Sequence, residues 1–288
     1  MARPWGLVAW DLFVVDSLAG GSVRFRLVAA GRGDTVADPT GVSEARPARP
    51  LRRKFRLTGS MRVWLGVLLV MAAVKIVLST WYPNAFADPS QASFFQWDSL
   101  IAIWLMGLLG VWLSQRTGFP DALDPDVSMW QRVGLPLGVG VVTGGLFTLA
   151  DLWLHFTSVA ASQQGVTQQY TGFVPTLLSF LVAAVIVVVV FQLLVIPLPL
   201  WLISTVVKAS RAREAVFWVL AVATSCLEPL TQLLPTAQAM SVGVVVFLAV
   251  TQFLVNMGQA VLFRRYGYLS AILLRVGFYL VFHVLYIH

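Results

Sequence analysis

The sequence predicts an all-α protein: a polytopic transmembrane helix bundle of about seven spans, amino terminus in the cytoplasm and carboxyl terminus outside. Three observations carry this reading. First, the 288 residues are 58% hydrophobic and only 11% charged, whereas soluble domains hold about 25% charged residues. Second, residues 174–207, VPTLLSFLVAAVIVVVVFQLLVIPLPLWLISTVV, contain no charged side chain, and Gln192 is their only amide. As one helix that run would be roughly 51 Å long against a hydrocarbon core of about 30 Å. It is therefore a membrane span with an apolar extension, and Pro197 and Pro199 should kink or end it. Third, Lys and Arg gather in every second loop, as the positive-inside rule requires.

The formal charge of +7 does not point to nucleic acid, because the basic residues sit at span ends. Cys226 is the only cysteine, so neither an internal disulfide nor a CxxC metal site is available. It reads as a small buried apolar residue.

Residues 1–60 form a cytoplasmic leader. WGLVAWDLFVV is apolar but too short to span, and Asp11 and Asp16 interrupt it. It lacks the basic start and small-residue cleavage site of a signal peptide. Residues 30–50 are rich in Gly, Pro, Arg, Asp and Ala without periodicity, which reads as disorder. A basic cluster follows: Arg46, Arg49, Arg52, Arg53, Lys54 and Arg56. Its simple reading is a cytoplasmic topology signal; the sharper one is recognition of anionic lipid. Met61 stands just before the first span, where an internal start would fit.

Residues 61–172 hold the amino-terminal spans, at about 62–80, 98–115 and 133–156. Lys75 can snorkel at the outer end of the first. The connection 81–97 has no Lys or Arg and many aromatics, which suits an outer interface. Arg116 and Arg132 edge the next loop. Gly138, Gly140, Gly144 and Gly145 on span three should permit close helix approach. Asp151 and His155, one turn apart, could ligate a metal or relay a proton. Their plainer reading is a hydrogen-bonded pair near the outer interface, since no third ligand is evident.

Residues 173–288 hold the remaining spans. The long run is span four and ends at Lys208, Arg211 and Arg213. Span five is about 214–233, span six about 240–263 and span seven about 268–287, with Arg264 and Arg265 between the last two. No internal repeat supports the inverted halves of many transporters.

The segment NMGQAVLFRRYGYLSAILLRVGFYLVFH (256–283) resembles the last part of the CAAX protease and bacteriocin-processing (CPBP, type II CAAX prenyl endopeptidase) intramembrane metalloproteases. Segments 187–204 and 217–235 look like the family helices that carry EExxxR and FxxxH. The likeness is strongest over 174–283, weaker back to about 117, and does not cover the leader. It implies a CPBP-like core in the carboxyl-terminal part and a bacterial cytoplasmic (inner) membrane. In that family paired glutamates activate water and histidines hold a metal ion, whose bound water supplies the nucleophile. Carried over, the glutamates fall on Val187 and Val188 and the arginine on Gln192. The Phe and His of FxxxH fall on Pro229 and Leu233, and HxxxN/D falls on Arg275 and Tyr279. Each expected ligand or base is replaced, and a permanently cationic Arg275 would repel a metal. The resemblance thus implies a degenerate member without the family's activity: no catalytic residue, metal or cofactor.

Glu228, Gln232, Arg275, Gln192 and Asn256 are the polar groups expected deep in the bundle. An arginine at mid-membrane is expensive and seeks a partner. Arg275 is expected to pair with Glu228 or bond Gln232; the alternatives are a water-filled cavity or a Glu228 turned elsewhere. His283 and His288 are expected at the outer interface. The functional expectation is a catalytically silent membrane protein that works by binding, as accessory or scaffold subunit, with membrane lipid and other membrane proteins as partners and no nucleic acid. An active hydrolase with Asp151, His155 and Glu228 as atypical ligands is the alternative, and a transporter the second.

Overall fold

The computed structural model describes residues 58–85, 89–159, 172–204, 210–233, 237 and 240–286. Residues 1–57 of the leader, which hold its basic cluster, and Lys208 and His288 lie outside these residues. Among them there are helices and no strands, and seven helical segments are long and apolar enough to cross a bilayer. This is an integral, multi-pass membrane bundle.

Span one is Gly59–Trp81, span two Trp97–Arg116 and span three Trp130–Leu154. Span four is Phe173–Ser204, span five the helix Ser210–Leu233, span six Val242–Tyr266 and span seven Tyr268–Tyr286. Span seven is the most enclosed: 61% of its apolar window is buried, against 22% for span one. Large apolar side chains such as Leu69, Val142, Val219 and Val242 are exposed on the outer faces of other spans. In a bilayer those faces meet lipid, which solvates them as well as a protein core would. Trp81, Trp97 and Trp153 are exposed where alternating spans share one end, and Trp130 at the other, as interfacial tryptophans are placed.

Span four breaks where its sequence is densest in aliphatics, ahead of its prolines. A helix over Phe173–Val188 passes into a π-turn at Val189–Leu193, and a new helix starts at Pro197. Pro197 has no N–H to lose at a helix start, so the break falls before it. The π-turn widens the helix at Gln192 and Leu193, and short π segments often mark functional sites. Leu193 bulges toward span two at Gly110, where a Cβ would stand 2.8 Å from the leucine side chain.

The ends bearing the basic residues are clasped together. Asp121, in the loop after span two, accepts from Ser60 N at 3.0 Å and Leu123 N at 2.8 Å. Ser60 Oγ accepts from Ala122 N at 2.8 Å, and Tyr268 Oη donates to Ser60 O at 2.9 Å. Thr58 caps span one through Met61 N and receives Gln115. These contacts involve residues ahead of Met61. Gly267, the single residue between spans six and seven, has φ +88° and rests against Pro120 O; only glycine adopts that backbone freely. Phe119 stacks on Phe263 at 4.4 Å, and Glu214 pairs with Arg264. Replacing Asp121 with alanine leaves two backbone N–H groups without their acceptor. Unfolding free energy in mild detergent should fall by about 1–3 kcal/mol; an unchanged denaturation midpoint would count against the clasp.

Spans three and seven touch backbone to backbone. A Cβ on Gly140 would strike Leu274 O, one on Gly144 would stand 2.8 Å from Phe278 O, and one on Gly277 2.6 Å from Leu137 O. Gly138 and Gly145 were also expected to serve close approach and do not: nothing lies within 4 Å of a Cβ on either. They point off the contact face, because each residue along a helix turns the side-chain direction by about 100°.

Two large apolar clusters fill most of the interior, beside a small third one of Val255, Leu262 and Leu274. One surrounds Trp64, Leu100, Val189, Leu193, Phe217 and Phe263. The other is dominated by Phe147, Phe156, Phe278 and Phe282, joined by Leu233 and Tyr279. On span seven, Ala271 and Ile272 belong to the first and Phe278 and Tyr279 to the second. Arg275 lies between them.

Candidate functional site

Span six presents an amide stripe, Gln252, Asn256 and Gln259, at spacings of four and three residues. That spacing sets all three side chains on one helix face. Asn256 and Gln259 are 2% and 0% exposed, and Arg275 and Glu228 are 5% and 2%. Arg275 Nη2 donates to Glu228 Oε2 at 2.7 Å, to Asn256 Oδ1 at 2.5 Å and to Gln259 Oε1 at 2.7 Å. One nitrogen carrying two hydrogens serves three acceptors, so one bond is shared. Gln259 Nε2 donates to Ala271 O and Gln192 Nε2 to Asn256 O, both at 3.1 Å. Spans four, five, six and seven are thereby joined through one buried polar layer.

The expected pairing of Arg275 with Glu228 is present as an ion pair. Asn256 belongs to the same layer, and Gln192 reaches it through the Asn256 carbonyl. The side chain of Gln232 lies outside the described residues. Gln259 was not anticipated; its place three residues after Asn256 was the available signal. Of the positions where the resemblance expected catalytic groups, Val188 is buried in the first apolar cluster. Leu233, Arg275 and Tyr279 line one cavity, although they come from two spans.

Asp151 and His155 do not form a helix-face pair. The helix stops at Leu154, and His155 takes a left-handed backbone, φ 51°, with its N–H bonded to Asp151 O. The His155 side chain is exposed. Asp151 is buried and turned to other partners: Thr157 N at 2.9 Å, the Thr157 hydroxyl, and Tyr286 Oη at 3.0 Å. An Asp whose side chain can hold the next backbone N–H groups favours helix ends. It closes the helix end and ties it to span seven.

Cys226 is exposed rather than buried. The buried side of span five runs through Phe217, Ala221, Thr224, Ser225 and Glu228, and Cys226 falls on the opposite side. His283, three residues from the end of span seven, stacks on Phe180 at 4.3 Å and meets Tyr279 edge-on at 5.0 Å. The aromatic wall around it belongs to the cavity of about 310 Å³ that Arg275 borders. Most of its lining residues lie toward the ends of spans three to seven remote from the basic loops, with Arg275 at its inner limit.

The metal implied by the resemblance does not fit this centre. The guanidinium of Arg275 occupies it, one carboxylate is present, and the Oδ1 and Oε1 atoms of the two amides already accept from the arginine. Among the described residues no three His, Cys, Asp or Glu side chains converge as a metal site.

Several polar atoms here lack partners among the described residues: Gln192 Oε1, Asn256 Nδ2, Arg275 Nε and Gln252 Oε1. Unsatisfied buried groups gather where water or a ligand completes the bonding.

What the fold and this layer define is a multi-pass membrane helix bundle with a charged, hydrogen-bonded core. Comparison with protein-family models, curated proteins and solved structures finds no match.

Proposed function

We propose that this chain is a catalytically silent, CPBP-like membrane protein that acts by binding, as an accessory or scaffold subunit of a membrane complex. The proposed setting is the bacterial cytoplasmic membrane, amino terminus inside. One observation carries the reading: the position the resemblance assigns to a metal ligand is held by Arg275, bonded to Glu228, Asn256 and Gln259. A fixed cation supplies the cross-link that a metal ion supplies in a hydrolytic site, but it cannot activate a water molecule by coordination. The hydrolase alternative needs Asp151, His155 and Glu228 together. Asp151 is engaged with Thr157 and Tyr286, while Glu228 is engaged with Arg275.

Metal analysis and peptide hydrolysis on the purified protein test this. Zinc is expected well below one equivalent, and cleavage of prenylated and unprenylated peptides should not exceed background or respond to chelators. Stoichiometric zinc with chelator-sensitive cleavage would overturn the proposal. Identification of proteins retained with it in mild detergent would supply the partner.

A further inference from the structure

An aromatic cavity lies beside Arg275. Phe147, Phe180, Leu248, Phe278 and Phe282 form its walls, and Thr157, Gln252, Arg275, Tyr279 and His283 are its polar lining. Its volume of about 310 Å³ lies at the lower end of the range for small-molecule sites. The pocket takes side chains from five spans, so an occupant would report on the assembly of the outer half of the bundle.

Charge and hydrogen bonding narrow the occupant. The Arg275 cation is already balanced by Glu228 at 2.7 Å. An anionic headgroup would gain little from an arginine whose charge is already paired. A cationic headgroup would meet the guanidinium. Of the polar atoms on its lining residues, an acceptor, Gln252 Oε1, and a donor, Arg275 Nε, are buried without a partner among the described residues. A hydroxyl is both donor and acceptor. The apolar walls suit an alkyl chain.

We infer that the cavity binds a neutral, single-chain lipid through a hydroxyl headgroup, of the monoacylglycerol class, with the headgroup between Gln252 and Arg275 and the chain among the phenylalanines. This rests on reading the centre as a binding site rather than a hydrolytic one.

The probe is 1-decanoylglycerol, compared with decanoate and decyltrimethylammonium, added to the full-length protein in maltoside detergent. Thermal unfolding gives apparent affinity, and mass spectrometry reports the fate of the ester. The neutral probe should raise the unfolding temperature in a saturable way, and the two charged probes should bind at least about tenfold more weakly, the loss of one or two hydrogen bonds. Gln252→Leu removes a buried acceptor that has no partner among the described residues. It should therefore fold as well as or better than the parent while binding the probe about tenfold more weakly. A merely structural Gln252 would not separate those two readouts. Leu248→Trp, which fills the cavity, should abolish the shift; if it fails to fold, Leu248→Phe gives the graded version. Equal shifts from all three probes, or unchanged binding in Gln252→Leu, would overturn the inference alone. Release of decanoate and glycerol would overturn both it and the non-catalytic reading.

Discussion

Replacing Glu228 with leucine should lower unfolding free energy by about 3–5 kcal/mol, because it strands a buried cation. The side chains of the pair are 6% and 3% exposed, so water cannot take over. Arg275→Met should cost less. The glutamate left behind can accept a proton and become neutral, whereas a guanidinium cannot shed one. The double variant Glu228→Leu, Arg275→Met should recover most of the loss, since apolar replacement of a whole buried pair is often neutral or stabilising. Chemical denaturation of the four proteins in one detergent completes the cycle. Strict additivity of the two single effects would show that the pair is not coupled, and the account of the polar layer would then be wrong.

The second large effect lies at the contact of spans three and seven. Gly277→Val would drive a branched side chain into Leu137 O and Val141 N, which a Cβ alone would approach to 2.6 Å and 3.1 Å. Both are backbone atoms on a helix and cannot swing aside. Overpacking of this kind costs about 1–3 kcal/mol or more, and here the whole helix pair must separate. Loss of monodisperse protein, or a drop of many degrees in unfolding temperature, is expected. Gly145→Val faces open space and should behave like the parent. Equal tolerance at 277 and 145 would contradict the close approach.

Much of the architecture was legible because a membrane imposes coarse, one-dimensional constraints. Span number and limits follow from apolar length, and the Arg275–Glu228 pair follows from the scarcity of charge: Glu228 is the lone acid in residues 215–287. What was not legible depends on helix rotation. Gly140 and Gly138 look alike in sequence, yet one meets a backbone and the other meets nothing. Cys226 follows Ser225 by a single residue, about 100° of turn, and that turn carries it from the packed face to the outer one. Span six hides its amide stripe because every residue between the amides is apolar or small, and its significance appears only once Arg275 is placed beside it. His155 could not be foreseen as a helix terminator, since histidine visits left-handed backbone only occasionally.

The single residue joining spans six and seven has a consequence for how the protein is made. With only Gly267 between them, the two helices leave the ribosome as one hairpin. Two of the three acceptors for the Arg275 guanidinium, Asn256 and Gln259, sit on the first arm of that hairpin. The charge can therefore be clothed by its own neighbours as it enters the bilayer, and docking against Glu228 completes a shield already two-thirds in place.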